Sequence, residues 1–230
     1  MQRCSGNKPT ASFFIYGKIY GRKQMIKEGL IMKDEVDFPL DKEMLEDERS
    51  KRVIFVCHCL LNANSKVLEG ARYKGMYKEV VQTLQKYDLG VVQLSCPEML
   101  HFGCNRYWGG KNVFDSAGYR RFCREQAELT VDYIENYQKI GYEIVCILGC
   151  DGSPTCGVNY TNHYSNGGGR PKDVQRSLLK EKGIFMEEIE KEVEKRRLQM
   201  PDMYGLGMDI CSKSMEEVFE DFQRYLEKRI

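Results

Sequence analysis

Three short apolar runs constrain this chain more than any other feature, and each carries cysteine at its end. "RVIFVCHCLL" (52–61), "LGVVQLSCPE" (89–98) and "YEIVCILGCDG" (142–152) are rich in β-branched residues and stop at turn-prone or polar ones. Their apolar character is continuous rather than alternating, which suits strands buried on both faces of a parallel sheet. Helical patterns lie between and after them: "YKGMYKEVVQTLQKY" (73–87), "AGYRRFCREQAELTVDYIENYQKI" (117–140), "GIFMEEIEKEVEKRR" (183–197) and "SMEEVFEDFQRYLEKR" (214–229). In the second of these, Tyr119, Phe122, Cys123, Ala127, Ile134 and Tyr137 fall on one stripe. "YGLGMDI" (204–210) reads as a further short strand. Strand–helix alternation with short connections predicts an α/β fold: an open, mostly parallel sheet with helices on both faces, Rossmann-like and three-layered, in a single domain.

Residues 1–50 lack either clean period and are expected to be an extension that carries little of the fold, with Met25 or Met32 as alternative starts. The domain proper is expected over 51–230, with no internal repeat. A net charge of +1 provides no field for nucleic acid or an anionic membrane. No apolar run approaches the ~20 residues of a spanning helix, and "SFFIY" is too short for a signal-peptide core. The expected location is the cytoplasm, where the ten cysteines stay thiols. Cys123 and Cys146 read as buried small hydrophobes.

In an open parallel sheet the carboxyl ends of all strands lie along one edge, where ligands bind. Cys57 and Cys59, then Cys96, then Cys150 and Cys156 are therefore delivered to one region. Cys156 sits in "GSPTCG", where Pro154 sets a turn and Gly157 permits close backbone approach. Such a loop is expected to expose a thiol and turn backbone N–H groups toward it. Soft thiolates select zinc, copper(I) or an iron–sulfur cluster. The paired C-x-x-C of a zinc ribbon and the close-spaced ferredoxin run are both absent from the sequence.

Together, "VIFVCHCLLN", "LSCPE" and "GSPTCG" resemble, in order and spacing, the three signature segments of the thiouracil desulfidase family. The resemblance spans about 52–165; residues 170–230, largely helical, lie beyond it. It implies a 4Fe–4S cluster held by Cys59, Cys96 and Cys156 with one iron open, and non-redox removal of sulfur from a small thiolated substrate. It places the family's acid/base and hydrogen-bonding residues on Glu98 and Ser153. The chain departs from the pattern at Asn62, at "SKVLEG" (65–70) and at "MLHFGCNRYWGG" (99–110), which marks a divergent branch. A fourth thiol from Cys57, Cys104 or Cys150 would close the cluster, and the alternative reading is a non-catalytic zinc or closed-cluster protein.

Other residues have structural readings beside functional ones. Glu98 is placed to favour a helix N-terminus, Ser153 to close a turn and Asp151 to cap it. His58, between two cysteines, is expected to face the other side of its strand, whereas His101 and His163 lie in loops near the crevice. "NRYWGG" (105–110) and "NYTNHYSNGGGR" (159–170) carry aromatic and amide groups suited to a planar base. "EEIEKEVEKRR" (187–197) reads as a solvated face with i,i+4 charge pairs.

Overall fold

The computed structural model describes residues 47–170, 175–207 and 213–230. The expected extension over 1–50 and the end of the "YGLGMDI" strand lie largely outside these residues. Glu48–Ile230 forms one compact unit. In chain order its elements begin with β1 (Arg52–Val56), α1 (His58–Leu61), a 3₁₀ turn (Ala63–Ser65), α2 (Lys78–Lys86), β2 (Gly90–Gln93) and α3 (Pro97–Phe102). A short strand β3 (Trp108–Gly109), α4 (Lys111–Phe114), the long α5 (Ala117–Lys139) and β4 (Glu143–Asp151) follow. The chain continues through β5 (Thr161–Tyr164), β6 (Gly168–Gly169), β7 (Arg176–Leu179), α6 (Ile184–Lys195), β8 (Met203–Gly207) and α7 (Met215–Glu227).

The main sheet runs β2-β1-β4-β8, and every neighbouring pair is parallel. The predicted α/β fold is therefore the one observed. β1 and β4 are central, and Ile54, Phe55, Val56, Ile147 and Leu148 are inaccessible to solvent. Each such side chain contributes about 1.5–3 kcal/mol by leaving water. On one face α5 packs against α6; α2 packs against α7. The predicted α5 stripe is buried at Tyr119, Cys123, Ala127 and Ile134, with Phe122 and Tyr137 packed at its margin. Local chemistry sets the helix starts: the Ser116 hydroxyl accepts from Tyr119 N at 3.2 Å, and Ser214 with Glu217 forms a reciprocal capping box.

Three expectations change. The first run is not all strand: it leaves the sheet after Val56 and winds into the single turn α1, so Cys59 and His58 sit on a helical turn. His58 meets the Gln93 and Asn62 amides there. The second run is an edge strand, with Gly90, Val91 and Gln93 exposed, because β1 covers only one of its sides. On α6, Glu188 and Glu192 are buried rather than solvated. Glu188 accepts from Arg120 and Arg124 of α5 at 3.1 and 3.2 Å, which joins the two helices. Glu192 instead accepts at 2.8 Å from Arg196 at the end of its own helix, one of the expected i,i+4 pairs, and Arg196 in turn donates to Asp132 of α5 at 2.6 Å. Among the described residues, no helix is long and apolar enough to cross a membrane.

Candidate functional site

From β1 the chain moves outward to β2, then crosses back to place β4 on the other flank of β1. The strand order thus reverses between β1 and β4, and an open α/β sheet has its crevice at the carboxyl ends of such a pair. A cavity of about 120 Å³ lies there. One water needs roughly 10–15 Å³ on such a measure, so the space suits a small ligand. Cys59, Cys96, Cys150 and Cys156 line it, together with Glu98 and Ser153. All three cysteines implied as ligands, and both implied catalytic residues, meet in this one place. Cys104 is exposed and outside the lining, while Cys57 is fully buried behind Cys156.

The thiols form two contacting pairs, Cys59 with Cys150 and Cys57 with Cys156. Contact with the Cys150 sulfur pulls the Cys59 thiol down to about 6; Lys66 and Arg106 assist, against burial and the Glu98 carboxylate. The same contact, with burial, pushes Cys150 well above the ordinary thiol range. Contact with Cys57 and burial do the same to Cys156, and burial with the Glu98 charge raises Cys96. Burial alone would lower the Lys66 ammonium; the charges of Cys150, Cys59 and Tyr73 outweigh it and raise it. Of the lining thiols, Cys59 alone is thus poised toward its thiolate, beside the Lys66 ammonium in the same wall, while burial keeps Cys96, Cys150 and Cys156 protonated. Among the described residues, no three His, Cys, Asp or Glu side chains gather in a geometry that would ligate one metal ion.

Glu98 stands in the first turn of α3, directly after Pro97 at its start. Both carboxylate oxygens are engaged: Oε2 accepts from Arg106 Nε at 3.2 Å, and Oε1 from the Ser153 hydroxyl at 3.2 Å. The guanidinium is held in turn by the Ser65 and Gly103 carbonyls at 2.9 and 3.1 Å. Ser153 is both a turn residue and a site residue, because its Oγ also accepts from Thr155 N and Cys156 N at 3.2 and 3.0 Å.

Asp151, at the end of β4, organises the rest of that loop. Its Oδ1 accepts from Val158 N and Asn159 N at 2.7 and 2.8 Å, and Oδ2 from the Asn159 amide at 2.9 Å. These N–H groups bind Asp151 and Ser153, which corrects the expectation that the loop turns them on its thiol. The turn is tight enough that a Cβ on Gly157 would lie 2.2 Å from the Tyr160 carbonyl oxygen. Glycine is required there because nothing larger than hydrogen fits.

The two polar loops singled out in the sequence meet across a short antiparallel pairing, Trp108 with Gly169 and Gly109 with Gly168. Trp108, Asn162 and Tyr164 line the cavity from this side, with Arg176. The Trp108 indole N–H is already given to the Leu68 carbonyl at 2.7 Å, so its ring is what remains for a ligand. The three histidines are not site residues. His163 is held by Glu181 at 2.6 Å on the other face of β5. His101 packs among Phe102, Tyr119 and Phe122, and His58 sits beside Gln93. Lys66, Arg106, Asn162 and Tyr164 escaped sequence reasoning individually; the last three fall within the two loops whose composition had marked them.

No family model and no solved structure matches the chain. An uncharacterized protein of the archaeon Methanocaldococcus jannaschii, MJ0003, is 33% identical over 147 residues, which cover 64% of this chain and 81% of the relative. The chain belongs to the same protein family as this archaeal relative.

Proposed function

We propose that this protein is a non-redox desulfidase that replaces the sulfur of a small thiocarbonyl compound by oxygen, with a 4Fe–4S cluster held by Cys59, Cys96 and Cys156. The carrying observation is that thiols from three separate strand ends line one cavity with a hydrogen-bonded Glu98–Ser153 pair. The donor set fits the group. Three cysteines lining one cavity are the soft thiolate donors that such a cluster takes. When bound, a three-cysteine cluster supplies an open, sulfur-seeking Lewis acid.

The chain's own residues supply the rest. Arg106 fixes Glu98 Oε2, which leaves Oε1 facing Ser153. Oε1 accepts a proton from the attacking water, a role typically worth about 10²–10⁴ in rate. The Ser153 hydroxyl, anchored by two backbone N–H groups, donates to Glu98 without substrate and to the substrate's polar edge with it. Lys66 and Arg106 offset the negative charge of the thiolates and of departing sulfide.

A second reading, a closed four-thiolate site without catalysis, is favoured by the contact of Cys150 with Cys59. Anaerobic reconstitution separates the two. The desulfidase reading expects about four irons per chain, sulfide release from a thiolated base, and a Cys150→Ser variant that keeps both. Stoichiometric zinc, or a reconstituted protein that releases no sulfide from any thiolated base or nucleoside, overturns it. Glu98→Gln is expected to keep its iron and lose at least 100-fold in rate.

A further inference from the structure

Two residues in the wall of the cavity carry polar atoms that find no partner among the described residues. Asn162 Oδ1 and the Tyr164 hydroxyl are inaccessible to solvent and make no hydrogen bond with any described residue. Asn162 is 6% exposed and Tyr164 2%, and both line the cavity. Leaving such atoms unpaired is costly, and native proteins seldom tolerate it without a ligand or a function.

Their placement is built into the fold. β5 pairs antiparallel with β7, and Asn162 and Tyr164, two residues apart, share one face of that ribbon. The alternate residues Thr161 and His163 point the other way, where Glu181 accepts from Thr161 at 2.7 Å and meets His163. The Tyr164 backbone is clamped on both sides by the Asn112 amide, which donates to its carbonyl at 2.9 Å and accepts from its N–H at 3.2 Å. Glu98 is near enough for its charge to reach the Tyr164 hydroxyl. Asn162, Tyr164, Glu98 and Ser153 all line one and the same cavity. Around them the lining is largely apolar, with Val67, Pro97, Trp108 and Pro154.

We infer that Asn162 and Tyr164 are the specificity-determining residues of this cavity, and that they select a small planar ring by a lactam edge. The ring N–H is given to Asn162 Oδ1, and the Tyr164 hydroxyl pairs with a neighbouring carbonyl or thiocarbonyl. A carboxamide oxygen only accepts, and a phenol both donates and accepts. The apolar lining takes the faces of the ring. This inference rests on the cavity being a small-molecule site, as proposed above, and adds which chain atoms choose the molecule.

The test uses the full chain, purified anaerobically, with uracil and 1,3-dimethyluracil as unreactive probes in calorimetric titrations. Wild type is expected to bind uracil at least about tenfold more tightly than the dimethylated ring, since the latter leaves Asn162 Oδ1 unpaired. Asn162→Ala and the conservative Tyr164→Phe should bring that ratio toward one while unfolding at wild-type denaturant concentrations. A purely structural role would not move the ratio. Equal binding of both rings by wild type, binding of neither, or an unchanged ratio in both variants overturns the inference. Sulfide release from 2-thiouracil is assayed in parallel. Selective binding without sulfide release would refute the desulfidase reading and leave the assignment of Asn162 and Tyr164 standing.

Discussion

Asp151 is the residue on which the cysteine loop most depends, and its replacement makes a quantitative test. The carboxylate ends β4 and takes three hydrogen bonds from the loop that carries Ser153 and Cys156. Asp151→Ala removes the acceptor of the buried Val158 N–H, which costs about 1–3 kcal/mol as an unsatisfied donor. It also removes a charge-assisted bond to Asn159, whose N–H can turn to water, for about 1 kcal/mol more. The sum, about 2–4 kcal/mol, is a large share of a typical domain stability. For a unit of this size it lowers Tm by roughly 5–15 °C. Asp151→Asn keeps an oxygen toward the two backbone donors and loses only the Asn159 amide bond, so it is expected to cost about 1 kcal/mol. Urea unfolding followed by circular dichroism measures both. Iron content after reconstitution should fall in the same order, because Cys156 rides on the loop. A variant Asp151→Ala within about 0.5 kcal/mol of wild type, or one no less stable than Asp151→Asn, would refute the reasoning.

Other outcomes follow from the ion pairs and thiols. Arg106→Met strips Glu98 of its buried partner and is expected to destabilise the fold by about 3 kcal/mol, seen in urea unfolding. It should also lower any sulfide-release rate at least tenfold, with iron retained. Burial would raise the Glu188 carboxyl, but Lys191, Arg120 and Arg124 outweigh it and hold the group below its ordinary range. A depressed carboxyl stabilises fully above its unfolded value of about 4.3 and progressively less as pH falls through the folded value. The stability gap between wild type and Glu188→Gln should therefore be constant near neutrality and shrink below about pH 4, as read from melting curves. Cys104→Ala, outside the cavity, should match wild type in iron content, whereas Cys59→Ala, Cys96→Ala and Cys156→Ala should each lose it.

Much of this molecule was legible in the residue order. Strand and helix patterning is a local property, so the runs ending near Cys59, Cys96 and Cys150 could be read as strands before their neighbours were known. The errors came where neighbours decide. β1 stops at Val56 although the apolar run continues, because the next residues close a helical turn, with the Asn62 N–H on the His58 carbonyl at 2.8 Å. Glu188 looks solvated in sequence, yet α6 packs on α5 and buries it against Arg120 and Arg124, whereas the Glu192–Arg196 pair is local and was legible as an i,i+4 spacing.

What the sequence determined by itself was the layered α/β architecture and the gathering of thiols at one sheet edge. Parallel strands necessarily present their carboxyl ends together. Only the tertiary structure decided which thiols touch, that Arg106 holds Glu98, and that Asn162 Oδ1 and the Tyr164 hydroxyl find no partner among the described residues. Those facts depend on side chains brought together across tens of residues, such as Ser153 and Glu98. Pairing, burial and an orphaned polar atom are properties of a neighbourhood in space, and no periodicity along the chain encodes them.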